Sequence, residues 1–311
     1  IERLVLPFIS DDGTTIEQLQ TGELDAAFFI DTSRVEQLRA IPNHRLVVTP
    51  VPYFYAMGFN LQVPALEDRA VRQAISQAID ARSLVWKITH GVDDGVLPMR
   101  GLFTWAADPQ ISSVAYDLAA ARASLTADGW LPGSDGVRIK DGRRLSLQLA
   151  FPAGSDVTTS LATAIAAAER DAGVAVTLRQ YDRNQFLSED GPMIQGRYQL
   201  SLYDYQSNYD PDASWLLACD QQAPHGFNMA RYCNPAVDAL LHKAASSYDR
   251  PARAASYRAV QQIIAHDLPY DFLSQVNEVD VIPANLEGYV PPLLSPFNFV
   301  ADWHWKKAPA P

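Results

Sequence analysis

The stretch from Ser201 to Pro211 concentrates side chains that could hold a small molecule. Its sequence, Ser-Leu-Tyr-Asp-Tyr-Gln-Ser-Asn-Tyr-Asp-Pro, leaves a strand-like alternation and enters a turn before a short predicted helix at 214–217. Loops at strand ends are where α/β folds collect ligands, because the sheet holds the loop in place. Tyrosine rings and polar side chains suit a ligand with an apolar body and a few hydrogen-bonding atoms.

The two cysteines, Cys219 and Cys233, lie fourteen positions apart in a loop-rich stretch between predicted helices. A disulfide closing this loop would stabilise the fold by about 3 kcal/mol on the chain-entropy model, and we predict that bond. A metal site is disfavoured, because the six histidines show no His-x-x-His spacing and only His225 lies near the cysteines. Two buried thiols are the remaining alternative. We expect no metal and no cofactor.

Motifs for catalysis are missing from the sequence. It has no Gly-x-Ser-x-Gly elbow, no glycine-rich phosphate loop and no zinc-binding pattern. We therefore predict that the protein is not an enzyme. A hydrolase built on a similar α/β framework is the less favoured alternative.

Composition predicts a folded chain of roughly two domains. Its 311 residues are 48% hydrophobic and 20% charged, so the chain can bury enough apolar surface to offset its ordering entropy. A formal net charge of −11 disfavours nucleic acid as a partner. The chain opens directly at Ile1 in a strand-like alternation, without an initiator Met or a targeting segment, which favours a processed or truncated chain.

Alternating hydrophobic periods predict an α/β fold with helices packed on sheets. The unit from 145 to 178 predicts two parallel strands joined by a helix. Helices are predicted after the caps Asp68, Asp80, Asp117, Asp156 and Asn234. Strands are predicted over 24–29, 45–50, 53–61, 145–151, 174–178, 198–205 and 272–282.

A series of motifs carries a family resemblance. In chain order they are Leu19-Gln-Thr-Gly-Glu-Leu-Asp25, Phe59-Asn60, Asp68-Arg-Ala-Val-Arg-Gln-Ala-Ile75 through Leu84-Val85 to Gly91, Tyr116-Asp117 to Gly129-Trp130, Asn208-Tyr-Asp-Pro-Asp212, Asn234 to Asp238, and Tyr257 to Ile264. Together they resemble family 5 extracytoplasmic solute-binding proteins, the oligopeptide, dipeptide and nickel receptors of ABC importers. The resemblance covers essentially the whole chain.

The resemblance implies a two-lobed clamshell of the type II-like periplasmic-binding-protein kind, with the ligand in the cleft. The family's N-terminal segment, which supplies part of the first lobe and an extra subdomain, is expected to be missing. Residues 1–60 and 285–311 are expected to belong to lobe I and 61–284 to lobe II. The chain would cross the hinge near 55–60 and near 279–286.

The resemblance also bears on the ligand. In peptide-binding members an acid three residues before the Asp-Pro pair binds the peptide ammonium, whereas here that position is Ser207. A basic residue after the strand at 145–151 pairs with the ligand carboxylate in dipeptide receptors, and 152–156 contain no cation. Both ends of a zwitterionic dipeptide thus lose their expected partners. Asp204 is either a substitute acid or a solvated or hinge-paired aspartate.

Trp105 is the favoured aromatic contact, because it lies in a segment broken by Gly and Pro rather than on a periodic face. The full set of predicted ligand contacts is Asn60, Phe103, Trp105, Tyr203, Asp204, Tyr205, Ser207, Asn208 and Tyr209. Paired cysteines bracket the same loop in some dipeptide-binding relatives, which supports the Cys219–Cys233 bond and an oxidising location.

The function implied is that of the substrate-binding component of an ABC importer. It would capture a peptide-like or other small solute by hinge closure and present it to a permease in the membrane. We expect a monomer located outside the cytoplasm, either in a periplasm or lipid-anchored at the cell surface. A regulatory or sensor domain that keeps the binding fold without transport is the alternative. An upstream lipobox or signal peptide would favour transport, and an upstream helix-turn-helix would favour regulation.

Overall fold

The computed structural model describes residues 1–9, 11–95, 103–207, 210–291 and 297–306. Its α-helices are α1 (Asp12–Thr21), α2 (Val35–Arg39), α3 (Pro64–Glu67), α4 (Arg69–Ala78), α5 (Ala81–Ile88), α6 (Leu118–Ala127), α7 (Asp156–Ala172), α8 (Arg183–Leu187), α9 (Pro192–Gln195), α10 (Ser214–Leu217), α11 (Pro235–Ala245) and α12 (Arg250–Asp267). Its strands are β1 (His44–Phe59), β2 (Asp94–Gly95), β3 (Leu131–Pro132), β4 (Arg138–Lys140), β5 (Arg143–Arg144), β6 (Ser146–Pro152), β7 (Ala175–Tyr181), β8 (Leu200–Gln206), β9 (Tyr270–Pro283), β10 (Leu286–Glu287) and β11 (His304–Trp305).

A mixed six-stranded sheet in the order β2-β9-β1-β8-β6-β7 organises the molecule. Strand β6 runs parallel to both β7 and β8, and α7 connects β6 to β7, so the predicted parallel pair with a helical connection is confirmed. Strand β1 is antiparallel to β8 on one side and to β9 on the other. Because β6, β7 and β8 are parallel, their carboxyl ends meet at one edge of the sheet.

Strand β1 is one continuous element, so the prediction of two strands at 45–50 and 53–61 is wrong. Its pairing with β9 shifts register between Pro50 and Phe54. The prolines there have no N–H to give to the ladder, which is why the sequence predicts a break. The side-chain amide of Gln275 on β9 fills the gap by donating to the backbone carbonyls of Val51 and Tyr53.

The predicted strand at 24–29 is also wrong. Only Ala27 pairs with β9, in an isolated bridge to Val281. Phe29 has a φ of 62°, a left-handed conformation that ends an extended run. Backbone pairing of 24–29 with the sheet is therefore limited to Ala27, while the N–H of Phe29 donates to the side chain of Asp280 on β9 at 3.3 Å.

Two groups of buried side chains share β1 and β9. Phe59 and Ile75 belong to a core in which α4, α6 and α7 pack on one face of the sheet, and Tyr257 and Tyr270 to a core in which α11 and α12 pack on the other face. The second half of β9 contributes Val281 to a separate core with α1 and α2. Strands β1 and β9 therefore run from the two cores of the main sheet into the core formed with α1 and α2.

Helix caps follow the sequence in four of five cases. The side chains of Asp68, Asp80, Asp117 and Asn234 each accept a backbone N–H in the first turn of the following helix. The cap of α7 is Ser155 and not Asp156, since the Ser155 hydroxyl accepts from the backbone N–H of Thr158. Asp156 instead forms an ion pair with Arg34.

The predicted disulfide between Cys219 and Cys233 is present, with the two Cα atoms 4.5 Å apart. It closes the loop that leads from α10 to α11. The backbone N–H of Cys219 also donates to the carboxylate of Asp238 on α11, at 3.1 Å. The loop is therefore tied to α11 by one covalent bond and one hydrogen bond.

Replacing both cysteines by serine should lower the free energy of unfolding by about 3 kcal/mol, because the unfolded chain regains the entropy of an open loop. Urea denaturation followed by circular dichroism measures this difference. Wild-type protein unfolded in the presence of a thiol reductant should show the same loss. An unchanged midpoint in both experiments would contradict the prediction.

Asp271 is a buried carboxyl group in the sheet, and its burial raises its pKa from 3.8 to about 7. The folded state therefore favours the protonated form. The resulting stabilisation is complete below the unfolded-state pKa and is lost as the pH rises from about 4 to about 7. Glu169, wholly buried on α7, has a pKa raised for the same reason and adds to the same trend.

An Asp271→Asn variant should therefore lose less stability than the wild type between pH 4.5 and pH 7.5, because its amide stays neutral throughout. Urea unfolding at several pH values in that window gives the two slopes. Asp249→Asn, at an exposed cap of α12 that makes no side-chain cap hydrogen bond, is the matched control and should follow the wild type. Equal slopes for all three proteins would show that Asp271 does not titrate as described.

Candidate functional site

The carboxyl ends of β6, β7 and β8 bring together residues that are distant in sequence. Ser155 follows β6, Arg183 follows β7, and Asp204 and Ser207 lie at the end of β8. The end of β8 pairs with the middle of β1, where Tyr55 lies directly opposite Asp204. This edge therefore lies beside the register shift in β1.

Ser207 is bound to β1 through its backbone and its side chain. Its N–H and its hydroxyl both donate to the carbonyl of Pro52, at 2.7 and 3.0 Å. The hydroxyl hydrogen is thus used inside the chain, and the oxygen keeps lone pairs to accept a bond from a ligand. Asn208 and Tyr209, the next two predicted contacts, lie outside the described residues.

Asp204 forms an ion pair with Arg183. Nη1 and Nη2 of the guanidinium each lie 3.2 Å from one carboxylate oxygen. The guanidinium also lies over the ring of Tyr203, 5.3 Å from its centroid, and donates to its hydroxyl at 3.3 Å. Burial acts to lower the pKa of Arg183, but the hydrogen bonds and charge of Asp204 outweigh it and raise that pKa.

The hydroxyl of Tyr55 lies close enough to Asp204 and to Asp31 for both charges to affect its pKa. Burial raises the pKa of the Tyr55 hydroxyl, and the negative charge of Asp204 raises it further. The charge of Asp31 raises the pKa of this hydroxyl as well. Asp31 in turn accepts from the Ser155 hydroxyl at 2.9 Å. The ion pair thus lies close to the place where the segment around Asp31 meets the start of α7.

Tyr203 and Tyr205 lie on the face of β8 opposite Asp204, because successive side chains of a strand alternate between its faces. They belong to an aromatic cluster there. Their ring centroids lie 5.2 Å apart in an edge-to-face arrangement. Tyr205 is buried and stacks on Phe54 at 5.5 Å, with Tyr270 at 5.8 Å. Tyr203 is half-buried and is the ring of this pair that a ligand could reach.

Trp105 is half-buried against α12. Its ring meets Tyr257 edge-on at 6.2 Å, and the guanidinium groups of Arg250 and Arg253 lie 4.8 and 5.7 Å from its centroid. Phe103, also half-buried, packs against the same core. The structure therefore places Trp105 on α12 and packs Phe103 against the same core.

Arg253 links this helix to the loop after Ser207. Its Nη2 donates to both carboxylate oxygens of Asp210 at 2.6 Å and to the Tyr257 hydroxyl at 2.9 Å. Sequence reasoning missed Arg253 and Arg183 as site residues. The spacing of Arg253 and Tyr257, four residues apart on one helix face, and a cation directly after a strand were the available signals.

Asn60 lies away from this group. It is 3% exposed, and its side-chain amide donates to the carbonyls of Gly196 and Tyr198 at 3.2 and 2.9 Å and accepts from the N–H of Gln62 at 3.1 Å. These partners lie near the start of β8, about 20 Å from its end. The structure does not bring Asn60 together with Ser207, and its role in ligand binding stays a prediction.

A cavity of about 530 Å³ lies at the opposite end of the sheet, near the start of β6. Its charged side chains are partly neutralised within the chain, as in the pair of Lys140 and Asp128 at 2.9 Å. No cluster of three or more His, Cys, Asp or Glu side chains that could hold a metal ion occurs among the residues that the structure describes. Helices in those ranges also lack the length and apolar character needed to cross a membrane.

Comparison with known families identifies the fold. Residues 1–225 match the family described as bacterial extracellular solute-binding proteins, family 5 Middle. The chain belongs to this family. Protein XP55 of Streptomyces lividans is 30% identical over 298 residues, which are 93% of this chain and 52% of that relative. The oligopeptide-binding protein AppA of Bacillus subtilis is 25% identical over 299 residues, 93% of this chain and 53% of AppA. The chain thus spans about half the length of these family 5 relatives.

Solved structures confirm the two-lobed α/β fold of family 5. AppA of Bacillus subtilis, in complex with a nonapeptide, superposes with a TM-score of 0.83 at 24% identity, over 96% of this chain and 59% of AppA. NikA of Brucella suis, in complex with Fe(III)-EDTA, gives a TM-score of 0.83 at 22% identity, over 96% of this chain and 61% of NikA. The resemblance inferred from the motifs is therefore confirmed.

A Trp105→Ala variant should remain folded but lose about 2 kcal/mol of unfolding free energy, because the ring's contact with Tyr257 and its cation–π contacts with two arginines are removed. Trp86→Ala is the matched control, since Trp86 is 59% exposed on α5 and should lose much less. Urea denaturation compares the two. Equal losses would show that Trp105 is not packed as described.

Proposed function

We propose that the chain belongs to the substrate-binding component of an ABC importer. The observation that supports this most directly is the group of polar residues at the carboxyl ends of β6, β7 and β8. This group lies where the cores on the main sheet meet the core of α1 and α2, and β1 and β9 run through both regions. Ligands of hinged α/β proteins bind at such strand ends. The family's extracellular solute-binding character agrees with this assignment.

The proposed mechanism is hinge closure around a solute. The sequence places residues 1–60 and 285–311 in lobe I and residues 61–284 in lobe II. The cores on the two sides of β1 and β9 support shifting these bounds, so that 1–50 and 277–311 would form lobe I and 54–275 would form lobe II. Bending is supported best at the register shift between Pro50 and Phe54, since the ladder with β9 is interrupted there. In this mechanism the protein binds and releases its cargo and performs no catalysis.

The ligand is a peptide-like or other small solute. AppA is complexed with a nonapeptide and NikA with Fe(III)-EDTA, so relatives of one fold hold different solutes. In this chain the contacts we propose are Tyr203, Asp204 and Ser207 at the end of β8. Trp105 and Phe103, which pack against the same core as Tyr203, complete this group. Tyr205 would support Tyr203 from the core. Asn60, Asn208 and Tyr209 stay in the proposed set on the sequence alone.

The partners we propose are this solute and a membrane permease, with no nucleic acid. The net charge of −11 supports the last point. The protein would act as a monomer outside the cytoplasm, in a periplasm or lipid-anchored at the cell surface. The disulfide supports an oxidising compartment.

Calorimetry on the native protein purified from its source cells tests this function against short peptides and metal chelates. One class should bind and, at a hundredfold excess over Kd, raise the free energy of unfolding by about 2.7 kcal/mol. Small-angle scattering should show a smaller radius of gyration with that ligand, as closure requires. Folded protein that binds neither class and does not contract would contradict the proposal.

A further inference from the structure

The pair of Arg183 and Asp204 is built more firmly than most surface ion pairs. Arg183 is the first residue of α8, and the neighbouring Asp182 fixes the start of this helix by accepting from the N–H groups of Asn184 and Gln185 at 2.9 and 3.1 Å. Asp204 lies inside β8, where its backbone pairs with Tyr55. Neither backbone can move without disturbing a helix start or the central sheet.

The guanidinium is held but not covered. Asp204 and the Tyr203 hydroxyl take three of its five N–H groups. Within the described ranges, no residue accepts from the remaining two, and 47% of the Arg183 side chain is exposed. Asp204 is 22% exposed and keeps unused lone pairs. The pair therefore presents open donors beside open acceptors, with the two formal charges cancelled.

Other charged groups near this edge have partners of their own. Asp31 accepts from the hydroxyls of Ser33 and Ser155, at 2.6 and 2.9 Å. Asp156 is paired with Arg34. Among the described residues, Asp204 is the only charged group within hydrogen-bond distance of Arg183. Removing the charge of either residue would therefore leave the charge of the other uncompensated.

We propose that Arg183 and Asp204 line the ligand cleft as a neutral donor–acceptor pair and make it select an uncharged polar group, such as a peptide amide, over a single positive or negative charge. This inference rests on the proposed function. A neutral ligand group can satisfy the open N–H groups and lone pairs without adding an unpaired charge to a partly buried site. A charged ligand group is attracted by one member and repelled by the other.

Breaking the pair from either side should create opposite charge preferences. Arg183→Gln leaves Asp204 uncompensated and should make the cleft prefer a cationic group. Asp204→Asn leaves Arg183 uncompensated and should make it prefer an anionic group. The double variant should return to the neutral preference of the wild type, which neither single change predicts alone.

The probes are three peptides that differ at one side chain, Ala-Gln-Ala, Ala-Lys-Ala and Ala-Glu-Ala, each acetylated at its N-terminus and amidated at its C-terminus so that only the central side chain can carry a charge. Each is titrated into the wild type and the variants by calorimetry. We expect the wild type to prefer Ala-Gln-Ala. Arg183→Gln should shift the Lys-to-Glu affinity ratio about tenfold towards Ala-Lys-Ala, and Asp204→Asn about tenfold towards Ala-Glu-Ala. The matched control is the Asp128 and Lys140 pair, which has similar exposure at the other end of the sheet. Asp128→Asn and Lys140→Gln should leave all three affinities unchanged.

The outcomes separate this inference from the function on which it rests. Binding with the same Lys-to-Glu ratio in the wild type and both single variants would overturn the selection by charge while leaving the importer function intact. The same shift in the Asp128 and Lys140 variants would also overturn it, because the effect would then be one of overall charge. Wild-type protein that binds another member of the wider panel above but none of the three peptides would overturn this inference alone. Wild-type protein that binds nothing in either set would overturn the proposed function and this inference with it.

Discussion

The antiparallel pairing of β1 with β9 is the constraint on which the rest of the structure depends. From His44 to Pro50 the ladder belongs with α1 and α2, and from Phe54 to Gly58 it belongs with the helices that pack on both faces of the main sheet. Backbone hydrogen bonds in each half hold the strands regardless of side chains. The interruption between the halves requires Gln275 to supply donors to two carbonyls that the ladder leaves unpaired. The two halves of the β1–β9 ladder are therefore rigid, and the strands can bend most easily at the interruption between Pro50 and Phe54.

Polar residues lie beside the interruption in the β1–β9 ladder because of the strand order and of the prolines in β1. The parallel strands β6, β7 and β8 end there, so their connecting loops lie at one edge. Ser207 is bound to the carbonyl of Pro52, a residue that itself has no N–H to give to the ladder. Asp31 accepts from Ser155 at the start of α7, where the first N–H groups of the helix favour a carboxylate. The features that interrupt regular structure at this place also supply hydrogen-bonding groups to a ligand.

The sequence predicts most local features and misses those that depend on distant partners. Asp68 and Asn234 cap their helices because the information lies within a few residues, and the cysteine pair closes a short loop. The continuity of β1 depends on Gln275, more than two hundred residues away, and could not be inferred from prolines that locally indicate a break. Arg183 reaches Asp204 across the end of β6, a relation that exists only once the strand order is known. The sequence could not indicate that the carboxylate of Asp204 has Arg183 as a cationic partner.

In the proposed mechanism the same pair also links binding to closure. In an open cleft, water satisfies the two free N–H groups of Arg183 and the free lone pairs of Asp204. Closing the lobes without a ligand would remove that water and leave donors and acceptors unpaired, which costs about 1–3 kcal/mol for each buried group. A ligand that brings its own carbonyl and N–H removes this penalty, so the closed state becomes favourable only when it is loaded. A permease that recognises the closed form would then receive filled binding proteins, and the discrimination would come from the cost of leaving these groups unpaired.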